Sequence, residues 1–369
     1  MKNKRNSSYE LMRIISMFLI IIYHIIVHGK VIENCNNEGL KIIFEIVLFM
    51  TLVHVNSFVL VTGYYQIDSS FKQKKIWALL NASWFYRLII MGILLCIDII
   101  SIDKLTIIRE GFPININEYW FLKNYIILYC ISPFINKALI NFDKKTFKSL
   151  LIVLFIILSI IPAITGGLFF DNNGLTLYQF IYMYMIGAYL KKYPLNKSYL
   201  FKRASNNKYK IYMISIFLIC VFLNYTLYKY SDSLLNVNTI TEDIGRNIHR
   251  TGLLYSNPYV IIQSVAFFLY IGAHTINSSI INKLASLSFG IYLIHDNNFM
   301  RDLLYKWLKI DNGNIYSYKF FVYVLTVSII IFIVCAIIEF LRQLLFKFIY
   351  NLKLSKKIRE KYYNYISQI

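Results

Sequence analysis

The chain has 369 residues, of which 57% are hydrophobic and only 16% are charged, and its formal net charge at pH 7 is +20. This composition excludes a soluble domain, because the apolar residues fall in runs long enough to cross a bilayer. The charge distribution argues against a nucleic-acid partner. With the N-terminus in the cytoplasm, about two thirds of the 39 lysines and arginines fall in cytoplasmic segments, as in multi-pass membrane proteins.

The hydropathy pattern predicts an all-α polytopic membrane protein with about ten transmembrane helices and both termini in the cytoplasm. We expect a single integral-membrane domain over residues 1–369, because neither a soluble domain nor an internal repeat is evident. The predicted spans are 12–28, 42–65, 83–100, 118–136, 149–164, 175–190, 211–227, 257–273, 284–304 and 320–346.

The cysteines and the first apolar segment exclude two other interpretations. Four of the five cysteines lie in apolar segments, and none shows C-x-x-C or Cys/His spacing, so we expect neither a disulfide framework nor a metal site. The first segment has no small-residue cleavage site, so we interpret it as a spanning helix and not as a signal peptide.

The first span places two ionisable side chains on one face. Arg13 and His24 are eleven residues apart, which is three helical turns and roughly 16 Å along the axis. Each alone is compatible with an interfacial arginine or a hydrogen-bonded histidine in a bundle. Together they favour a cavity site, because ionisable groups in membrane helices face the protein interior or water. Such a site would bind an anion at Arg13 and perform proton chemistry at His24.

Later spans add further polar residues. The second carries His54, which we expect to be satisfied by a neighbour, and a basic loop, FKQKK, follows it. The ninth carries His295, a second imidazole for the cavity, next to Asp296. Because adjacent helical residues diverge by about 100 degrees, we expect Asp296 to face a different partner. In the tenth span, Glu339 and Arg342 are expected to form only a local ion pair.

Four segments, in the same order, resemble motifs of the acyltransferase-3 family of integral-membrane acyltransferases. RIISMFLIIIYH resembles its first-helix R-x10-H motif, and SFVLVTGYY resembles an F-x-x-[ST]-G-[FY] segment. YWFLKNYIILYCISPFIN is similar to its W-F-L…S-P helix, and LSFGIYLIHD is similar to its S-[FY]-G-x-Y-x-x-H segment. The chain departs from the family where an R-x-x-R is common, since it carries Lys72, Lys74 and Lys75 there.

The resemblance implies transfer of an acyl group, usually acetyl from acetyl-CoA, to a hydroxyl of a cell-surface or exported glycan. It implies a glycan or glycolipid acceptor, no permanently bound cofactor and, with the composition, a bacterial plasma membrane. Some members carry a fused extracytoplasmic esterase-like domain. This chain stops after its last predicted helix, so we expect direct transfer or a separate extracytoplasmic transferase partner.

On this basis His24 is predicted to be the general base and Arg13 to bind the phosphates of the acyl-CoA donor. His295 would support His24, and His28 or His295 is the fallback base. An acyl-enzyme on tyrosine or serine is a further possibility. The predicted substrate-binding and donor-binding residues are Glu10, Lys72, Lys75, Thr62, Gly63, Tyr64, Trp120, Ser288 and Tyr292.

Two other classes of membrane protein fit part of the pattern. A transporter of glycolipids or organic anions would more often show internal repeats or broken helices in matching halves. A glycan polymerase would favour long polar outer loops. Binding of acetyl-CoA distinguishes the acyltransferase from both.

Overall fold

The computed structural model describes residues 7–111, 119–167, 172–195, 205–234, 239–310, 315 and 317–351. Within these ranges the backbone forms helices and no strand, with one isolated bridge between Cys35 and Ile315. The predicted all-α class is therefore confirmed. The helices are α1 (Ser8–His28), α2 (Glu38–Thr51), α3 (His54–Gln66), α4 (Gln73–Cys96), α5 (Lys104–Gly111), α6 (Trp120–Ile140), α7 (Lys144–Phe155), α8 (Ile161–Thr165), α9 (Leu177–Lys192), α10 (Asn206–Leu234), α11 (Thr239–Gly252), α12 (Pro258–Gly272), α13 (Ser279–Ala285), α14 (Ser288–His295), α15 (Asn298–Trp307) and α16 (Lys319–Asn351), with a π-helical turn, Ile156–Ile160, between α7 and α8.

Six helical segments in the described ranges are long and apolar enough to cross a membrane. They are Ser8–His28, Glu38–Gln66, Gln73–Cys96, Lys144–Thr165, Asn206–Leu234 and Lys319–Ile349. Helices α6, α9 and α12 lie where the fourth, sixth and eighth spans were predicted. However, α9 has 16 residues and α12 has 15, which is short of the roughly 20 that a bilayer requires. The count of ten spans and the cytoplasmic position of the termini stay predictions.

The ninth predicted span, 284–304, is not one helix. The chain forms α13, α14 and α15 in succession, and α14 ends at His295. The side chain of Asn297 then accepts a hydrogen bond from the backbone N–H of Phe299 and caps α15. Because asparagine is a preferred N-cap residue, it favours a new helix start over continuation of the old helix.

The second and third predicted spans also differ from the structure. The second is interrupted at Leu52 and Val53, where α2 ends and α3 begins. The third begins at Gln73, ten residues earlier than predicted. The basic FKQKK segment is therefore not wholly a loop: Lys72 is the N-cap of α4, while Lys74 and Lys75 lie in its first turn.

Helix α3 packs closely against α9 through a glycine on each helix. A Cβ atom added to Gly63 would collide with the backbone of Tyr184, and one added to Gly187 would collide with the backbone of Leu60. Small residues allow two helix backbones to approach this closely. Since α3 also contacts α1 and α12, this packing fixes the wall against which α1 is held.

We therefore expect Gly63→Ala to lower the free energy of unfolding by about 1–3 kcal/mol, because overpacking forces the helix backbones apart. Gly92→Ala is the matched control, since a Cβ atom added to Gly92 meets no atom within 4 Å. It should leave stability unchanged or raise it by up to about 1 kcal/mol through helix propensity. Thermal unfolding of the purified protein in detergent measures both, and equal melting temperatures for the two variants would contradict the assignment.

Candidate active site

A cavity of about 550 Å³ runs beside α1, from Arg13 to His28. These residues are separated by fifteen positions, or roughly 22 Å along the helix. Helices α3, α6 and α14 contribute the other walls, together with the segment that precedes α12. Six of the predicted site residues line the cavity, namely Arg13, His24, Thr62, Trp120, Ser288 and Tyr292.

His24 is in direct contact with the second predicted imidazole. The distance from His24 Nδ1 to His295 Nε2 is 3.2 Å, although the two residues are 271 positions apart. His295 is buried, and its Nδ1 lies 2.7 Å from the backbone carbonyl oxygen of Ile291. The structure thus brings α1 and α14 together at these two histidines.

The hydrogen bonds of this pair fix the position of the protons in its neutral form. A carbonyl oxygen can only accept, so His295 Nδ1 carries the proton and donates it to Ile291. His295 Nε2 is then a lone pair that accepts a hydrogen bond from His24 Nδ1. In consequence His24 Nε2 is unprotonated, which is the state that a general base requires.

Asp296 also reaches His24, contrary to the expectation that it would face another partner. Its Oδ1 atom lies 3.6 Å from His24 Nδ1 and 3.0 Å from Arg301 Nε. The expectation was wrong because α14 ends at His295, so Asp296 adopts a non-helical conformation (φ −101, ψ 15). The divergence of about 100 degrees between neighbours applies only inside a helix.

Arg301, in α15, is a site residue that the sequence reasoning missed. Besides its ion pair with Asp296, it donates from one terminal nitrogen to the Asp296 backbone oxygen at 3.3 Å. An arginine and an aspartate five residues apart within a predicted span are a detectable signal. The assumption of one continuous helix concealed their proximity.

Three side chains near the cavity could together ligate a cation. In the described part of the chain, donor atoms of His24, His28 and Asp296 lie within 4.8 Å of one another. The guanidinium of Arg301 already pairs with the Asp296 carboxylate and adds positive charge beside it. This charge opposes a metal ion, and the prediction that there is no metal site stays a prediction.

The opposite end of the cavity is basic. Arg13 NH1 lies 3.2 Å from Glu10 Oε2, and Glu10 is buried whereas the Arg13 side chain is 29% exposed. Lys75 lies close enough to Lys72 and Arg13 for their positive charges to act on it. Its ammonium is also 5.2 Å from the centre of the Tyr129 ring. This end therefore presents the guanidinium of Arg13, which Glu10 orients, while Lys75 and Lys72 lie nearby without lining the cavity.

The remaining predicted residues have several structural roles. Thr62 donates its hydroxyl hydrogen to the Phe58 carbonyl at 2.8 Å, and the Tyr292 ring packs against Phe121 and Tyr119. Gly63 packs against α9, as described above. Tyr64 packs against Tyr9 with the rings tilted by 47° and 4.8 Å between their centroids.

Beside His24, at the same end of the cavity, lies an aromatic and polar cluster that was not predicted as a unit. His54 Nδ1 lies 2.5 Å from the Thr51 carbonyl oxygen, and His54 Nε2 lies 3.1 Å from the Tyr255 hydroxyl. The Tyr23 ring lies 6.3 Å from the Tyr255 ring, with the two hydroxyls close enough to interact. The expectation that neighbours satisfy His54 is confirmed, but Tyr255 was not predicted, because it lies in the segment that connects α11 to α12.

Glu339 is more than a local partner of Arg342. It accepts hydrogen bonds from two nitrogens of Arg342 and also from the hydroxyl of Tyr86, each at 2.7 Å. A Cβ atom added to Gly290 of α14 would collide with the Glu339 side chain. Glu339 therefore links α16 to α4 and lies directly against α14, which carries His295.

Comparison with known proteins agrees with these features. A family profile described as an acyltransferase domain matches residues 6–340. No curated protein and no solved structure matches the chain. The match includes every predicted site residue and nearly all of the chain, so the chain belongs to the acyltransferase-3 family.

Proposed function

We propose that this protein is a membrane-embedded O-acyltransferase that transfers acetyl from acetyl-CoA to a hydroxyl of a cell-surface or exported glycan. The observation that carries the proposal is the hydrogen-bonded pair His24–His295 at 3.2 Å, which leaves His24 Nε2 unprotonated. The imidazole lines the same cavity as Arg13. A base and a cation in one elongated cavity suit a reaction between a phosphorylated donor and a hydroxyl.

The donor enters from the basic end. Arg13, Lys72 and Lys75 pair with the phosphates of CoA, and arginine suits bidentate phosphate contacts. The middle of the cavity is apolar, with Met17 and Ile20 on one wall and Phe58 on another. The pantetheine arm lies along this section, and the thioester carbonyl reaches His24.

The chemistry at His24 is general-base catalysis. His24 Nε2 removes the hydroxyl proton of the acceptor while its oxygen attacks the thioester carbonyl. An ester forms, the carbon–sulfur bond breaks, and the imidazolium returns the proton to the CoA thiolate. Asp296, 3.6 Å from His24 Nδ1, stabilises the transient positive charge.

The proposed setting is the plasma membrane of a bacterium, with Arg13 towards the cytoplasm, where CoA is made. Acyl-CoA, the glycan or glycolipid acceptor and the bilayer are the partners. No bound cofactor takes part in this scheme. Transfer is direct or is completed by a separate extracytoplasmic transferase.

We expect His24→Ala to lower acetyl transfer by at least about a hundredfold, since general-base catalysis typically contributes this much or more. The measurement is the O-acetyl content of cell-surface glycans, by NMR before and after mild base, in deletion cells that carry each variant at matched membrane levels. His249→Ala is the control, because His249 lies on α11 with its side chain 40% exposed. Full acetylation by His24→Ala would place the base elsewhere, with His295 the first alternative. If deletion changed glycan amount or length and not the esters, transport or polymerisation would replace the proposed reaction.

Arg13→Ala should weaken the use of acetyl-CoA without abolishing the chemistry. Loss of a charge-assisted contact to phosphate raises KM for acetyl-CoA by roughly tenfold or more. The control is Arg246→Ala, because Arg246 lies on α11 and its side chain is 62% exposed. Steady-state kinetics on purified membranes measure both, and an unchanged KM in Arg13→Ala would remove Arg13 from the donor site.

His295→Gln should retain more activity than His295→Ala. The terminal amide of glutamine can accept the hydrogen bond from His24 Nδ1, whereas alanine leaves that N–H without its partner. We expect His295→Ala to reduce kcat by roughly tenfold or more, with KM for acetyl-CoA unchanged. Equal activity of the two variants would show that the bond to His24 is not what His295 contributes.

A further inference from the structure

Contacts between α1 and α3 define the two ends of the cavity. Tyr9 in the first turn of α1 packs against Tyr64 near the end of α3, with 4.8 Å between ring centroids. Tyr23, near the other end of α1, packs against His54 in the first turn of α3, with 5.0 Å between ring centroids. The two helices are therefore antiparallel, and the Arg13 end and the His24 end of the cavity are distinct chemical environments.

The His24 end differs from the rest of the cavity in its aromatic and polar lining. The Trp120 indole stacks on the Tyr255 ring at 6.2 Å with an interplanar angle of 15°. Trp120, Tyr255, Tyr23 and His54 all line the cavity. The apolar section described above lies between this end and Arg13. The pantetheine arm and a polar acceptor would therefore occupy different parts of the cavity.

The hydrogen bonds also fix the proton positions in this cluster. The Thr51 carbonyl can only accept, so His54 Nδ1 donates to it and His54 Nε2 is a lone pair. The Tyr255 hydroxyl must then donate to His54 Nε2. The Tyr255 oxygen has two lone pairs, so with the Tyr23 hydroxyl beside it as one donor the second can accept from a hydroxyl in the cavity.

Tyr255 is also held firmly by its backbone. Its carbonyl oxygen accepts a hydrogen bond from the buried Asn56 side chain at 2.9 Å. The next residue, Ser256, donates its hydroxyl hydrogen to the Asn172 carbonyl. Together with the hydrogen bond to His54, these two contacts hold the Tyr255 ring and hydroxyl in place, as expected of a residue that orients a ligand.

From these observations we infer an acceptor subsite in which a pyranose ring stacks on Trp120 and one of its hydroxyls donates to the Tyr255 oxygen. The inference rests on the proposed function and specifies where that reaction holds its sugar. A pyranose offers an apolar C–H face to an aromatic ring and hydroxyl donors at its edge. This combination matches an indole beside a fixed acceptor better than an acyl chain does, because an acyl chain has no donor.

The chain offers a direct reporter for this subsite. It has four tryptophans, and Trp77, Trp84 and Trp307 are each more than 40% exposed. The triple variant Trp77→Phe, Trp84→Phe, Trp307→Phe leaves Trp120 as the sole source of indole fluorescence. Purified in detergent, this protein is titrated with glucose, galactose, mannose, rhamnose and N-acetylglucosamine, with betaine at equal osmolality as the control.

We expect a saturable fluorescence change with at least one sugar and none with betaine. Adding Tyr255→Phe should weaken the apparent affinity for that sugar by roughly three- to tenfold, the effect of one hydrogen bond. Adding Tyr323→Phe should leave it unchanged, because the Tyr323 hydroxyl donates to the Leu308 carbonyl on an exposed part of the protein.

Two results would overturn the inference. A fluorescence response to octanoyl-CoA but to no sugar would assign Trp120 to the acyl chain of the donor. No fluorescence response to either ligand would show that neither binds beside Trp120. Acetyl transfer to cell-surface glycans is followed in parallel with Trp120→Ala. Full acetyl transfer by Trp120→Ala would refute the subsite and leave the proposed function intact. Binding of a sugar without binding of acetyl-CoA would refute the proposed function and retain the sugar subsite.

Discussion

The pairing of charged groups inside an apolar bundle is the constraint on which this structure depends. An unpaired charge in a low-dielectric interior is costly, and removing one partner of a buried pair typically costs about 3–5 kcal/mol. Arg87 of α4, with no exposed side-chain surface, lies 2.8 Å from Glu110 of α5. Glu45 of α2 is buried and lies 3.3 Å from Lys229 of α10, whose side chain is partly exposed. Each pair joins two helices, so the need for charge neutralisation also restricts how the helices can be arranged.

The candidate site satisfies the same constraint at both ends of its cavity. Glu10 pairs with Arg13 at one end, and Asp296 pairs with Arg301 at the other. At this second end, His24 Nδ1 also donates a hydrogen bond to His295 Nε2. This arrangement leaves one neutral basic nitrogen in an environment where a fixed charge would be expensive. The electrostatic requirements of folding and those of the proposed chemistry are therefore met by the same contacts.

Much of this organisation could be predicted from the sequence, because it depends on local regularities. The all-α class follows from long apolar runs, and the shared face of Arg13 and His24 follows from helical periodicity. The pairing of His24 with His295 is different, since it joins residues 271 positions apart. A motif can mark both residues as unusual, but only the packing of α1 against α14 brings them into contact.

Most of the errors in prediction arise because hydropathy does not reveal helix ends inside an apolar segment. The break after His295 and the one at Leu52 lie within runs that read as continuous spans. Capping by Asn297 depends on one side chain and changes the mean hydropathy little. In one continuous helix Asp296 and Arg301 would point about 140 degrees apart, whereas they are paired in the structure. The cluster around Tyr255 was missed because it combines α1, α3 and the connection before α12.

The end of α14 at His295 has a consequence for how such a site can diverge. His295 is held by the helix, through the Ile291 carbonyl, whereas Asp296 is placed by the short connection that follows. A substitution of Asp296 therefore changes the charge beside His24, while the hydrogen bond that holds His295 belongs to the helix. The charge that acts on the base and the hydrogen bonds that position it are therefore supplied by different segments, which meet at the C-terminal end of α14.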